Sequence, residues 1–125
     1  MIVAVGVDVV PIARIEGLLA RGGERTFARL CTAAEADYCR SRANPAESLA
    51  ARFAAKEAVM KCLRTGWAQG IGFAQIEVVR DAHGAVSVRL HGAAAACAAE
   101  RGIRTLHLSL SHAGGMATAF VVAEA

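Results

Sequence analysis

Between Arg52 and Lys61 the chain reads Arg-Phe-Ala-Ala-Lys-Glu-Ala-Val-Met-Lys, and this stretch constrains the fold more than any other. Read as a helix, it is alanine-rich and apolar almost all the way round, the pattern of a buried helix rather than a surface one. Lys56, Glu57 and Lys61 nevertheless sit inside it, with Arg52 and Arg64 at its flanks. Such charges need partners, because desolvating an unpaired ion costs several kcal/mol or more. Glu57 and Lys61 are four apart, with the glutamate on the N-terminal side. That spacing suits an ion pair contributing about 0.2–0.5 kcal/mol. It equally suits a carboxylate for a hard cation beside an ammonium for the phosphates that the cation carries. A second carboxylate is needed to separate the two.

Asp8 is the candidate. Residues 2–10 are short, apolar and rich in β-branched side chains, which predicts a buried strand. Aspartate is depleted in strands and seldom buried without a partner. Pro11 stands at a natural first helical position, and Ile12, Ile15, Leu18 and Leu19 keep helical periodicity up to Gly22-Gly23. Asp8 thus falls where a strand gives way to a helix, as a capping or turn aspartate or as a metal ligand. Magnesium takes one or two protein carboxylates and fills its other positions with water and substrate phosphate. Asp8, Glu57 and a neighbouring lysine would make such a site.

The remaining elements are short and joined without linkers or repeats. A polar helical stretch includes Phe27, Leu30, Glu35 and Tyr38, and Asn44-Pro45 breaks the chain before the Lys-Glu helix. Phe73–Val79 tends towards a strand, Asp81–Gly84 is a turn, and Val86–Leu90 is a second strand. Gly92–Glu100 is an alanine-rich helix, and strands 106–111 and 116–123 flank the hairpin signal Ala113-Gly114-Gly115. Strand pairs mixed with helices predict an α+β fold with a small antiparallel sheet packed on helices, rather than a parallel α/β sheet.

Length fits one domain over residues 1–125, and a 55% hydrophobic content supplies a core with some surface left for burial between subunits. The formal net charge of +3 is too small to argue for nucleic acid but suits an acidic protein partner. With five per cent aromatic residues and no basic-aromatic interleaving on a strand, RNA binding is disfavoured. Cys31, Cys39, Cys62 and Cys97 form no Cys-x-x-Cys pair and have no histidine at zinc spacing, so they read as free thiols in a reducing compartment. The N-terminal run lacks a basic start, which argues against a signal peptide, and no segment approaches the ~20 apolar residues of a membrane span. A cytoplasmic protein is expected.

Gly6-Val7-Asp8-Val9-Val10-Pro11-Ile12-Ala13-Arg14-Ile15, followed by the Arg52–Lys61 helix, resembles holo-acyl-carrier-protein synthase, the small subfamily of 4′-phosphopantetheinyl transferases. Thr65-Gly66 and Gly70-Ile71-Gly72-Phe73 match the family's stretch after the helix, and Ser109–His112 with Ala117, Ala119 and Val121–Glu124 resembles its closing hairpin. The resemblance spans nearly the whole chain. It implies an α+β subunit that assembles as a homotrimer with active sites at subunit boundaries. The implied reaction transfers the phosphopantetheine arm of coenzyme A to a serine hydroxyl of an apo acyl carrier protein, leaving adenosine 3′,5′-bisphosphate.

In that reaction Asp8 and Glu57 would hold magnesium, and Lys61 would reach the phosphates as a point charge. Glu57, or water on the metal that these carboxylates hold, would take the serine proton. By the same resemblance Arg52, Gly66 and His112 would line the coenzyme A site, with His112 arriving from the neighbouring subunit. Gly66 read alone is a helix C-cap, and His112 a hairpin histidine without a ligand. Arg14 and Arg21 lie one heptad apart on the first helix, as a solvated basic face or as the docking face for the acidic carrier protein, with Phe27 adding an apolar contact. Phe53, Met60 and Leu63 read as core. Ala113 and Ala85-Val86 depart from the family pattern, where an acidic residue and a lysine-proline pair occur in some members. A catalytically silent carrier- or coenzyme-A-binding module is the rival reading, disfavoured because both carboxylates and Lys61 are kept.

Overall fold

The computed structural model describes residues 1–68 and 70–125. The chain runs β1 (Ile2–Pro11), α1 (Ile12–Gly22), α2 (Glu24–Leu30), α3 (Ala33–Ser41) and α4 (Pro45–Leu63). A 3-10 turn at Phe73–Gln75 then leads to β2 (Ile76–Arg80), β3 (Val86–Leu90), α5 (Gly92–Glu100), β4 (Thr105–Ala113) and β5 (Met116–Glu124). β1, β5 and β4 form an antiparallel sheet in that order, and β2 and β3 form a separate antiparallel pair. The α+β expectation holds.

α4 is the axis of the molecule. Asn44 caps it by accepting a hydrogen bond from the Glu47 amide at 3.3 Å, and Pro45 takes its first turn, where no amide hydrogen is needed. Its residues are buried on nearly every side, Phe53, Met60 and Leu63 included, as the all-round apolar pattern requires. The helix rests on β1 and β5, most of whose inward positions are small: Ala4 and Gly6 on one strand, Ala117, Ala119 and Ala123 on the other, with Val10 and Val121 the larger ones. Small residues let helix and sheet approach closely, and Ala54, Ala55 and Ala58 answer them from α4. Gly6 marks the tightest point, since a Cβ there would lie 2.1 Å from the Ala58 carbonyl oxygen.

Three expectations need correction. β1 is not buried on both faces: Val5, Val7 and Val9 point away from α4 and, with Phe120 of β5, leave an exposed apolar surface. The polar helical stretch is two helices, α2 and α3, separated at Cys31-Thr32, where Thr32 and Glu35 form a reciprocal capping box. α4 ends at Arg64, whose φ of 61° makes it the left-handed cap, so Gly66 is not the C-cap but lies two residues further on.

The buried lysine of the central helix has its partner. Lys56 donates to Glu35 Oε1 at 2.6 Å, with both side chains only 1% exposed, and to the Phe73 carbonyl at 3.0 Å. Glu35 also accepts from the Val78 amide at 2.9 Å. One ion pair thereby ties α3, α4 and β2 together. All four cysteines are free and buried, and a hydrogen bond with Cys39, reinforced by burial, pushes the Cys31 thiol up. No described helix is long and apolar enough to cross a membrane.

Candidate active site

The close approach at Gly6 brings the next inward residue of β1, Asp8, to the side of α4. Lys61, in the last turn of that helix, donates to the Val7 carbonyl at 2.6 Å and lies 3.3 Å from Asp8 Oδ1. Asp8 is largely shielded and Lys61 about half exposed, so the pair sits at the rim of the helix-sheet seam. Glu57, one turn earlier on the same face, does not pair with Lys61. Its Oε1 accepts instead from the indole Nε1 of Trp67 at 3.2 Å. The i,i+4 ion pair is therefore not formed: Lys61 is drawn across to the strand, and the Glu57 carboxylate keeps a neutral partner.

Asp8 and Glu57 are hard carboxylates on facing elements, with the Lys61 ammonium between the strand and the helix, and oxygen donors of this kind could hold a hard divalent cation that brings phosphate ligands of its own. Among the described residues no group of three or more His, Cys, Asp and Glu is placed to hold a metal.

Arg52 and His112 line a different feature, a cleft of about 300 Å³ walled also by Tyr38, Arg42, Glu47, Ser48, Arg80, Val86 and Ser111. Arg52 is 4% exposed, lies 4.4 Å over the Tyr38 ring and donates to the Ser48 carbonyl at 3.3 Å. Its Nε has no partner among the described residues. Arg42 and Arg80 approach the same ring at 5.5 Å. Three guanidiniums around one tyrosine repel one another, and an anion relieves that repulsion. His112 stands 3.4 Å from Glu47 at the edge. Val86, one of the departures from the family pattern, forms part of the wall, and Ala113 brings no carboxylate to the hairpin. Gly66, at φ 61°, lies in the exposed loop after α4 and does not line this cleft.

The basic face divides. Arg21 is grouped with Arg25 and Arg29 around a shallow, largely apolar groove between α1 and α2, opened by the bend at Gly23 (φ 52°). Arg14 is exposed but lies 5.2 Å over the Phe53 ring, outside that groove. Phe27 is 6% exposed, with Arg40 stacked 4.9 Å over it, so it packs into the core and is not placed to touch a partner. Sequence reasoning missed Arg25 and Arg29, although the successive spacings of four from Arg21 to Arg25 and from Arg25 to Arg29 signal a shared face once the bend is allowed for. It also missed Trp67, Arg42 and Arg80, which carry no local signal.

The fold and the helix-sheet site together define a class. The family model described as the 4′-phosphopantetheinyl transferase superfamily matches residues 4–121, and the chain belongs to that superfamily. It is 51% identical to the holo-[acyl-carrier-protein] synthase of Clavibacter sepedonicus, over 99% of this chain and 97% of that protein. The crystal structure of holo-[acyl-carrier-protein] synthase from Neisseria meningitidis superposes with a TM-score of 0.91 at 34% identity, covering all of both chains. The Helicobacter pylori enzyme, solved in complex with coenzyme A, superposes with a TM-score of 0.84 at 30% identity, over 97% of this chain and 100% of that one. The resemblance to the small holo-acyl-carrier-protein synthase subfamily drawn from the sequence holds along the chain, and the protein is an enzyme of this kind.

Proposed function

We propose that the chain, acting as one domain over residues 1–125, transfers 4′-phosphopantetheine from coenzyme A to a serine of an apo acyl carrier protein and releases adenosine 3′,5′-bisphosphate. The observation that carries this reading is the placement of Lys61 against Asp8 across the β1–α4 seam, with Glu57 one turn away. Asp8 and Glu57 would hold magnesium, which when bound would neutralise charge on the pyrophosphate. Lys61, already at the seam, offers its ammonium to the leaving phosphate. Glu57, or water on the metal that these carboxylates would hold, would take the serine proton.

The arginine cleft supports coenzyme A, a ligand with three phosphates, as the co-substrate: Arg52 carries an unpartnered Nε, and His112 and Ser111 sit at the same wall. Gly66 lends the backbone freedom of the loop after α4. Arg21 and, more peripherally, Arg14 belong to the surface that meets the acidic carrier. The Asp8–Glu57 seam and the arginine cleft do not share lining residues, which suits a homotrimer in which two subunits complete each site. The exposed apolar face of Val5, Val7, Val9 and Phe120 supplies surface for that assembly. The working compartment is the cytoplasm.

Incubation with coenzyme A, magnesium and an apo acyl carrier protein, followed by weighing the carrier, tests the reading. A carrier heavier by one phosphopantetheine supports it, and binding without a mass change identifies the silent-module alternative.

A further inference from the structure

Trp67 is the chain's only tryptophan, and it is 37% exposed on the loop that follows α4. Its ring is nevertheless held. It stacks on Phe73 with centroids 3.9 Å apart, and Phe73 stacks in turn on Phe53 of α4 at 5.5 Å. The Phe73 backbone is anchored as well, because its carbonyl takes a hydrogen bond from the buried Lys56. The indole therefore approaches Glu57 from a fixed direction. Its Nε1–H donates to Oε1 at 3.2 Å, and no other hydrogen bond to the Glu57 carboxylate is made among the described residues.

The chemistry of this donor matters. An indole N–H is neutral and donates only. It orients a carboxylate without cancelling its charge, whereas pairing with Lys61 would orient it and neutralise it together. With Trp67 in place, Glu57 keeps its full negative charge for a cation, and Lys61 is left to the strand and to phosphate. Carboxylates that ligate metals are themselves commonly held by such outer hydrogen bonds, whose loss lowers metal affinity or activity about 10–100-fold.

We infer that Trp67 is a positioning residue for the metal-site carboxylate: its stacked indole fixes one oxygen of Glu57 and leaves the other for the cation. The inference rests on the proposed magnesium role of Glu57. It adds a residue from the loop after α4 that acts through Glu57 and touches neither substrate.

The full-length protein reports on this directly, because one tryptophan gives one indole N–H resonance in a ¹⁵N-correlated spectrum. Without metal, Glu57→Gln should shift that resonance. Magnesium chloride alone should shift it in the parent and leave it unmoved in Glu57→Gln. Trp67→Phe keeps the stack and removes the donor; it should raise the magnesium needed for half-maximal transfer by about 10-fold or more, with the coenzyme A Michaelis constant and melting temperature close to the parent's. An indole resonance indifferent to Glu57→Gln, or a Trp67→Phe enzyme with the parent's magnesium dependence, overturns the inference. A parent that transfers nothing overturns the proposed function instead, and the indole response to magnesium and to Glu57→Gln still decides the positioning role. If Trp67→Phe does not fold, those same two responses decide.

Discussion

Gly6 of β1 and Ala58 of α4 lie so close that a methyl carbon on the glycine would meet the Ala58 carbonyl oxygen at 2.1 Å. This contact sets the distance between strand and helix, and with it the reach of Lys61 to Asp8 two residues along β1. The obstacle is backbone within a helix, which cannot rotate aside as a side chain does.

Gly6→Ala should therefore destabilise the protein by about 3 kcal/mol or more, at or above the usual cost of overpacking a core. Whatever folds should have β1 pushed away from α4 and transfer lowered with it. Thermal unfolding and the carrier mass shift, measured on the same sample, check this. A variant with the parent's stability and activity would show that the two elements separate at little cost.

Lys61 bonds to the strand and not to Glu57, so its removal should cost little stability. An exposed ion pair contributes about 0–1 kcal/mol. Lys61→Met is expected to lower turnover by about 100-fold, the scale for losing one group that stabilises transition-state charge, with a smaller effect on coenzyme A binding. Asp8→Asn and Glu57→Gln should abolish transfer as excess chelator does. Steady-state kinetics across magnesium concentrations test all three, and full activity in chelator would remove the metal from the account.

Lys56 and Glu35 make a buried pair, and breaking it from one side should be costly. Lys56→Met leaves a desolvated carboxylate, a loss of about 3–5 kcal/mol. Adding Glu35→Gln should recover part of that loss, because the neutral amide no longer needs a cation. Denaturant unfolding of the two variants and the parent gives the comparison.

Reversing Arg21, which shares its groove with Arg25 and Arg29, should raise the carrier-protein Michaelis constant several-fold while leaving that for coenzyme A unchanged. Arg14→Glu should do the same more weakly, since that side chain lies over Phe53. Rising salt should narrow both gaps as screening shortens to ~8 Å. Unchanged carrier kinetics at low salt would move the docking face elsewhere.

Glu77 gives a pH dependence. Its hydrogen bond with His91, at 3.0 Å, and another from Thr32, at 2.9 Å, hold its carboxyl below the usual carboxylate range despite burial. A folded-state value below the unfolded one stabilises fully above the unfolded value of about 4.3 and is lost as pH falls through the folded value. The stability advantage of the parent over Glu77→Gln should thus be full near neutrality and shrink below about pH 4. Melting temperatures taken down the pH scale would show it, and a gap that does not change with pH would remove ionisation as the cause.

Much of this protein is local in origin. The all-round apolar pattern of 52–61 could only be a buried helix, Asn44-Pro45 and Gly114-Gly115 mark a helix start and a hairpin by their own backbone chemistry, and the carboxylates of Asp8 and Glu57 stand out because such groups are rare in apolar elements. Phe27 and β1 show where local reading stops: an aromatic on a polar helix and a strand of valines look alike in sequence whether a core or a partner covers them. Tertiary structure alone decided that Lys56 meets Glu35 and not a neighbour on its own helix, and that Lys61 turns to Asp8. It also placed Trp67 on Glu57, and Arg42, Arg52 and Arg80 around one tyrosine. Lys56 and Glu35 are 21 positions apart and Lys61 and Asp8 are 53, and even the nearer pairs meet through loops and helix ends, so that distance in space decides them and local spacing along the chain does not.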